Sequence, residues 1–237
     1  MLKKLVIGVA VVVIVGLVAL NFIARKSVEI GTERVTGFPL SIGSLRFGLF
    51  TSKIDARDIK LQNPPEFTEP LFAELPQLYI DYSLPSIVSG KNHINDMLVE
   101  VKEIVVVKNA KGESNATRLK TAISSGGESR TKYSIDRLRV KCAGQVVIKD
   151  FSRAKPTERK MPLNVSAEYK NITDSTDVTR LVLLTVMSQV KLPDLGIKPE
   201  DLKKNLGSAV KGVGETLDKA GQGIFDTIKN VGGAKGK

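Results

Sequence analysis

Tryptophan is absent from the 237 residues, aromatic residues make up only 5%, and there is one cysteine and one histidine. Each shortage excludes something. A single Cys142 rules out an internal disulfide, and together with the single His93 it rules out a four-ligand Cys/His zinc site. So few aromatic rings give single-stranded nucleic acid little to stack on, so no nucleic-acid partner is expected. A Ser-His-Asp catalytic set would have to use His93, yet no GxSxG elbow is present. The glycines never form GxxxxGK[ST] or GxGxxG, so no loop is built to cradle phosphates. Asp55, Asp58, Asp81, Asp96 and Asp150 lack the spacing of a Ca²⁺ loop. No cofactor and no metal are expected, and the chain reads as non-enzymatic.

What is present is charge and apolar pattern. The formal charge of +11 suits anionic company, lipid headgroups first, or simply a soluble charged surface. From Leu5 to Ala24 the chain is apolar except for Asn21, with Lys3 and Lys4 before it and Arg25 and Lys26 after it. Twenty helical residues reach about 30 Å, the thickness of a hydrocarbon core. The run has no small-x-small end typical of a cleaved signal, which favours an uncleaved anchor over 1–24. Both flanks carry two basic residues, so charge leaves the orientation open.

Residues 25–36 predict a connector, helical or irregular, broken by Gly37-Phe38-Pro39. "SLRFGLF" then alternates, with Leu45, Phe47 and Leu49 on one side of an extended chain. In "KIDARDIKLQ" the apolar phase slips between Ala56 and Ile59, the mark of a β-bulge. "LYIDYSL" puts Leu78, Ile80, Tyr82 and Leu84 on one side. "INDMLVEVKEIVVVK" predicts one long strand or two short ones, "AKGESN" a turn, and residues 121–131 a polar Gly/Ser loop. "IDRLRVKC" and "PLNVSAEY" alternate again, with Leu138, Val140 and Cys142 in one phase and Leu163 and Val165 in the other segment's phase. Strands without intervening helices predict an antiparallel meander. Past Thr173 the period becomes helical. Leu206, Val210, Val213, Leu217, Ile224 and Ile228 form a one-sided stripe, interrupted by glycines that weaken a helix with no surface to fold on. The expected organisation is an anchor (1–24), a connector (25–36), an antiparallel β domain (37–172) and an amphipathic helical tail (173–237). The fold class is mainly β with helical additions.

Two features are candidates for function. The first is the set of apolar strand faces at Leu45, Phe47, Leu49, Leu78, Ile80, Tyr82, Leu84, Leu138, Val140, Leu163 and Val165. Pattern alone favours an ordinary core. A sheet with so little helical cover, however, must curl on itself or bind something apolar. The second is the cationic stripe Arg137, Arg139 and Lys141, extended by Lys149, Arg153, Lys155, Arg159 and Lys160. It reads either as a solvated face or as a contact for anionic headgroups, worth about 1 kcal/mol per basic residue near such a surface. His93 reads as an exposed turn residue and Cys142 as a small buried one. Asn115, Asn164 and Asn171 each begin an N-x-[ST] triplet, which matters only on a eukaryotic secretory route.

The order of segments resembles the amino-terminal module of the AsmA-like family. The residues that carry the likeness are Gly37 and Pro39, Leu49-Phe50, Asn63-Pro64 with Phe67, Ser89-Gly90-Lys91, and Gly112 to Asn115. Glu66 stands where the family has Gly, and Pro85 intrudes before the turn. The likeness covers about residues 1–120 and more loosely 133–172. It implies a single-pass inner-membrane protein with its body in the periplasm and a role in the cell envelope and outer-membrane biogenesis. It also implies a curved, groove-like sheet that binds or transports lipid, with membrane lipids and envelope proteins as partners. A chain this short would need oligomerisation, or a local role, to act across a periplasm. A scaffold protein with a closed β-sandwich core is the alternative.

Overall fold

The computed structural model describes residues 21–48, 51–125 and 134–173, together with 178, 181, 182, 185 and 186. Residues 21–36 form one helix, α1. Then follow β1 (Leu40–Gly48), β2 (Lys53–Gln62), β3 (Leu71–Tyr82), α2 (Leu84–Val88), β4 (His93–Lys108), α3 (Asn115–Ser125), β5 (Ser134–Asp150) and β6 (Thr157–Ile172). The six strands form one open sheet in sequence order. Among the described residues there is no second sheet to close a sandwich, and no helix is long and apolar enough to cross a membrane. The anchor over 1–24 lies almost wholly outside the described residues, as does most of the tail over 173–237.

The sheet corrects the expected meander. Four of its pairings are antiparallel, but β4 and β5 run parallel. A parallel neighbour needs a crossover, and α3 supplies its helix. That helix takes in the start of the stretch expected to be a Gly/Ser loop. The connector is also regular: α1 runs without a break from Asn21 to Thr36. Gly37 ends it with a left-handed φ of 71°, its N–H bonded to the Glu33 carbonyl. Phe38 is then fully buried, edge-on to Phe72 at 5.5 Å.

A seam crosses five of the strands. Gly43 faces Asp58 between the pairs Ile42–Ile59 and Ser44–Arg57. Asp58 is left-handed (φ 53°), and a Cβ on Gly43 would come within 2.8 Å of the Asp58 Cβ. On β3 the seam falls at Pro76, which has no N–H to give a ladder. Between β4 and β5, the pair Val101–Cys142 is followed by Glu103–Gln145, so β5 carries one extra residue there. Gly144 fills that place, where any Cβ would collide with the Lys102 carbonyl oxygen.

The seam changes the phase of the side chains. Ala56 and Ile59, three apart, are both buried in one cluster with Ile42, packed by Leu45, Leu75 and Leu78. The expected bulge between Ala56 and Ile59 is therefore absent. The β1–β2 register is unbroken, and the left-handed Asp58 makes the phase change without an extra residue. The shift in β2 pairing comes later, between Leu61 and Gln62.

One face of the sheet, here the inner face, is apolar along its length. Its most closed part lies on β5–β6, where Leu138, Val140 and Leu163 are fully buried in one core with Leu181 and Val186. The Tyr169 and Thr185 hydroxyls meet at 2.9 Å, and Thr185 also donates to the Leu181 carbonyl, so the helical residues near 181–186 are pinned on β6. Each such side chain contributes about 1.5–3 kcal/mol on burial.

Candidate functional site

The candidate apolar residues divide by strand. Leu138, Val140 and Leu163 belong to the closed core, and Val165 packs at its margin. On β1–β3 the same face is less covered: Leu45, Phe47, Ile54, Leu75, Leu78 and Ile80 are all only half-buried. The register lines up Phe47, Ile54, Ile80 and Met97 across four strands. Tyr82 is buried and stacks on Phe47 at 6.3 Å, its hydroxyl donating to the Gly48 carbonyl at 3.2 Å. Leu84 is not on the strand face as expected. It opens α2, where Pro85 fits the first turn and ends the strand at Tyr82. Leu49 lies outside the described residues, as do Leu206, Val210, Val213, Leu217, Ile224 and Ile228. Sequence reasoning omitted Ile54, Leu75 and Met97 from this face. The signal for Ile54 lay in its alternation with Ala56, whereas Leu75 is hidden behind the phase change at Pro76.

Helix α1 closes the β1 edge. Asn21, Arg25 and Glu29 recur every fourth residue and so share one side of the helix. Asn21 Oδ1 accepts from the Phe47 N–H at 2.7 Å, Arg25 Nη1 donates to the Gly43 carbonyl at 3.1 Å, and Glu29 Oε1 accepts from the Ile42 N–H at 2.9 Å. Groups that a free edge would offer to another strand are thereby used. Burial pushes the Glu29 pKa up, but the Lys26 hydrogen bond, the Ile42 N–H and the Lys26 and Arg25 charges outweigh it and hold the carboxyl below its ordinary value.

The register sets Gly48, Lys53 and Asp81 side by side, so β1 ends, β2 starts and β3 ends at one margin of the sheet. Asn21, the first described residue of α1, is bonded there. The same margin bears exposed apolar side chains: Phe22 (56%) and Ile23 (59%) on α1, and Ile87 (42%) and Val88 (81%) on α2.

Of the cationic stripe, Arg137, Arg139 and Lys141 lie on the outer face of β5 and are paired, whereas Arg153 and Lys155 stand in the loop before β6. Arg137 Nε donates to Asp96 Oδ1 at 2.7 Å, and Arg139 grips both Asp96 oxygens. Lys141 Nζ lies 3.6 Å from Glu100 Oε1. Burial would raise the Asp96 pKa, but the hydrogen bonds and charges of Arg139 and Arg137 prevail and lower it. Lys102–Glu74 and Gln77–Asp55 continue this cross-strand polar network.

His93 is not a turn residue. It begins β4 and lies between Ser134 Oγ (2.7 Å from Nδ1) and Asp136 Oδ2 (3.0 Å from Nε2). These are the residue types of a nucleophilic triad. The carboxylate, however, is 56% exposed, and the register places His93 directly beside Ser134. The arrangement ties the first residues of the parallel β4–β5 pair. Cys142 is buried, and burial pushes its thiol pKa up to about 11, far from a reactive thiolate.

A cavity of about 1150 Å³ lies at the opposite margin, with Val106 and Ile148 on its floor and Lys108, Arg118 and Arg153 at its mouth. Arg118 pairs with Glu66 and Arg153 with Asp150. One wall is α3, of which only the end, from 121, falls in the expected Gly/Ser loop, and no apolar pattern in the sequence marks this cavity. Beside it, two of the quoted motifs meet: Asn115 Nδ2 donates to Asn63 Oδ1 at 2.9 Å and to the Val105 carbonyl, while Asn115 Oδ1 accepts from the Val107 N–H. Asn63 in turn donates to the Glu69 and Leu71 carbonyls. These asparagines fasten the 63–70 loop to β4, with Phe67 buried against Val105, Val107 and Val147. Among known proteins no family model, no curated protein and no solved structure matches the chain.

Proposed function

We propose that the chain is a membrane-anchored, non-enzymatic protein whose inner sheet face takes up the acyl part of a membrane lipid, to hold it or hand it on in the cell envelope. The observation that carries this reading is the uneven cover of one continuous apolar face. Leu138, Val140 and Leu163 are fully buried on β5–β6, whereas on β1–β3 Leu45, Phe47, Ile54, Leu78 and Ile80 are half-buried around the buried Ile42, Ala56 and Ile59. Such a strip, with its polar counterpart on the outer face, suits a chain-like apolar ligand. The AsmA-like order of motifs supports the same reading. The membrane part rests on the apolar run ending at Ala24 and on where it leads. The end of that run is docked on β1 beside Phe47, at the margin where Phe22, Ile23, Ile87 and Val88 are exposed.

A dry structural sheet is the competing reading, and the fully buried Leu138, Val140 and Leu163 favour it for β5–β6. Solvent extraction of the purified 21–237 fragment followed by mass spectrometry tests the proposal. Acyl lipid in stoichiometric amount is expected. Lipid-free protein that also fails to take up a fluorescent fatty-acyl probe would contradict it.

A further inference from the structure

Every strand of the sheet reaches the margin at which Asn21 is held: β1, β3 and β6 end there, and β2, β4 and β5 begin there. The bond from the Phe47 N–H to Asn21 brings the apolar run of Leu5 to Ala24 to the sheet at this point, with Phe22 and Ile23 exposed. Two strand spacings away, about 10 Å from β1, β3 turns into α2. None of the five residues of α2 is buried, so their apolar character adds little to the core. Val88 is 81% exposed, the most of any large apolar side chain among the described residues. Lys91, in the turn after α2, and Lys53, at the start of β2, are exposed at the same margin. Of the carboxylates here, Asp81 accepts from Asn95 Nδ2 at 2.9 Å and Asp136 lies 3.0 Å from His93 Nε2. The other large apolar side chains exposed among the described residues, Val28, Ile30 and Val35, lie farther along α1.

We propose that α2 is a second membrane contact, at which Ile87 and Val88 enter the bilayer interface beside Phe22 and Ile23, with Lys53 and Lys91 at headgroup level. The inference rests on the reading of the apolar run as an anchor, and it goes further. An anchor joined through a loose connector would leave the sheet free to take any angle to the membrane. Here α1 is bonded to β1 through Asn21, Arg25 and Glu29, so the sheet is held against the helix that leaves the membrane. What stands at the start of α1 therefore stands at the bilayer. A lipid surface fits these groups better than a protein partner does. The exposed side chains are few and apolar, on a short helix flanked by lysines whose stems are apolar and whose heads reach anionic groups. The row Phe47, Ile54, Ile80 and Met97 begins one residue inside Gly48, Lys53 and Asp81. Contact through α2 thus brings the first row of the half-covered strip to the membrane surface.

The test places the full chain, carrying one added cysteine labelled with the fluorophore NBD, in vesicles of phosphatidylcholine and phosphatidylglycerol. Cys142 is buried and far from a reactive thiolate, so it stays in place, and the native chain gives the labelling background. Val88→Cys is compared with Val35→Cys, an exposed valine about 18 Å of helix beyond Ile23. Both sites are exposed, so neither label disturbs the core. Nitroxide groups on the lipid acyl chains are expected to quench most of the emission at position 88 and little at position 35. Flotation of the vesicles after an alkaline wash reports the anchor independently. A chain that floats but keeps its emission at position 88 overturns the proposal and leaves the anchor reading standing. A chain that does not float fails that reading, and the proposal with it. Equal quenching at both positions means that α1 lies flat on the surface, and overturns the proposal too. So does a blue-shifted emission at position 88 that lipid nitroxides do not quench, the mark of cover by protein.

Discussion

Single residues decide where this sheet bends. At Gly144 the Lys102 carbonyl occupies the space of a side chain, so Gly144→Ala must move backbone rather than a flexible chain end. Overpacking of this kind costs about 1–3 kcal/mol, and thermal unfolding followed by circular dichroism is expected to show that loss, while Gly31→Ala, with open space around it, is expected to show none. The seam was half legible in the sequence. The slip from Ala56 to Ile59 was visible in the apolar spacing, but spacing does not separate an inserted residue from a left-handed one. Only the constant β1–β2 register and the φ of Asp58 do so. Asn63 and Asn115 show a different limit. Their motifs were legible as motifs, but the 2.9 Å bond that joins them spans 52 positions and leaves no local trace.

At the scale of elements, strong alternation translated directly into strands: β1, β3, β5 and β6 stand where Phe47, Ile80, Val140 and Val165 predict them. Helix α3 was not legible, because "NATRLKTAISS" is rich in Ser and Thr, which suit turns as readily as helices. With it went the parallel β4–β5 pair, since topology follows from the crossover. Helix α1 shows how an element is attached by few groups. Glu29 carries a lowered pKa, so its contribution to docking is complete above the ordinary carboxyl value of 4.5 and is lost as pH falls through the lower folded value. Hydrogen exchange at the Ile42 amide, corrected for intrinsic rate, is expected to accelerate as pH falls below that ordinary value. In Glu29→Gln the amide is expected to exchange with no such pH dependence. An unchanged amide in both proteins would mean that α1 is held by other contacts.

Across the whole molecule, one open sheet carries an apolar inner face and an outer face that is charged around Asp96 and Arg139 but apolar at Val105, Val107 and Val147, and the inner face is most closed on β5–β6 and half-covered on β1–β3. The most direct measurement is on Ile80→Trp, at the centre of the half-covered strip. Overpacking a closed core there would cost about 1–3 kcal/mol, whereas a ligand strip has room for the larger ring and loses its occupant instead. Equilibrium unfolding and fluorescent fatty-acyl binding are to be measured together on the native and substituted proteins. The account predicts an unfolding midpoint within error of the native one, and acyl binding reduced at least tenfold. A strongly lowered midpoint, in a protein whose native form binds no acyl probe, would contradict it.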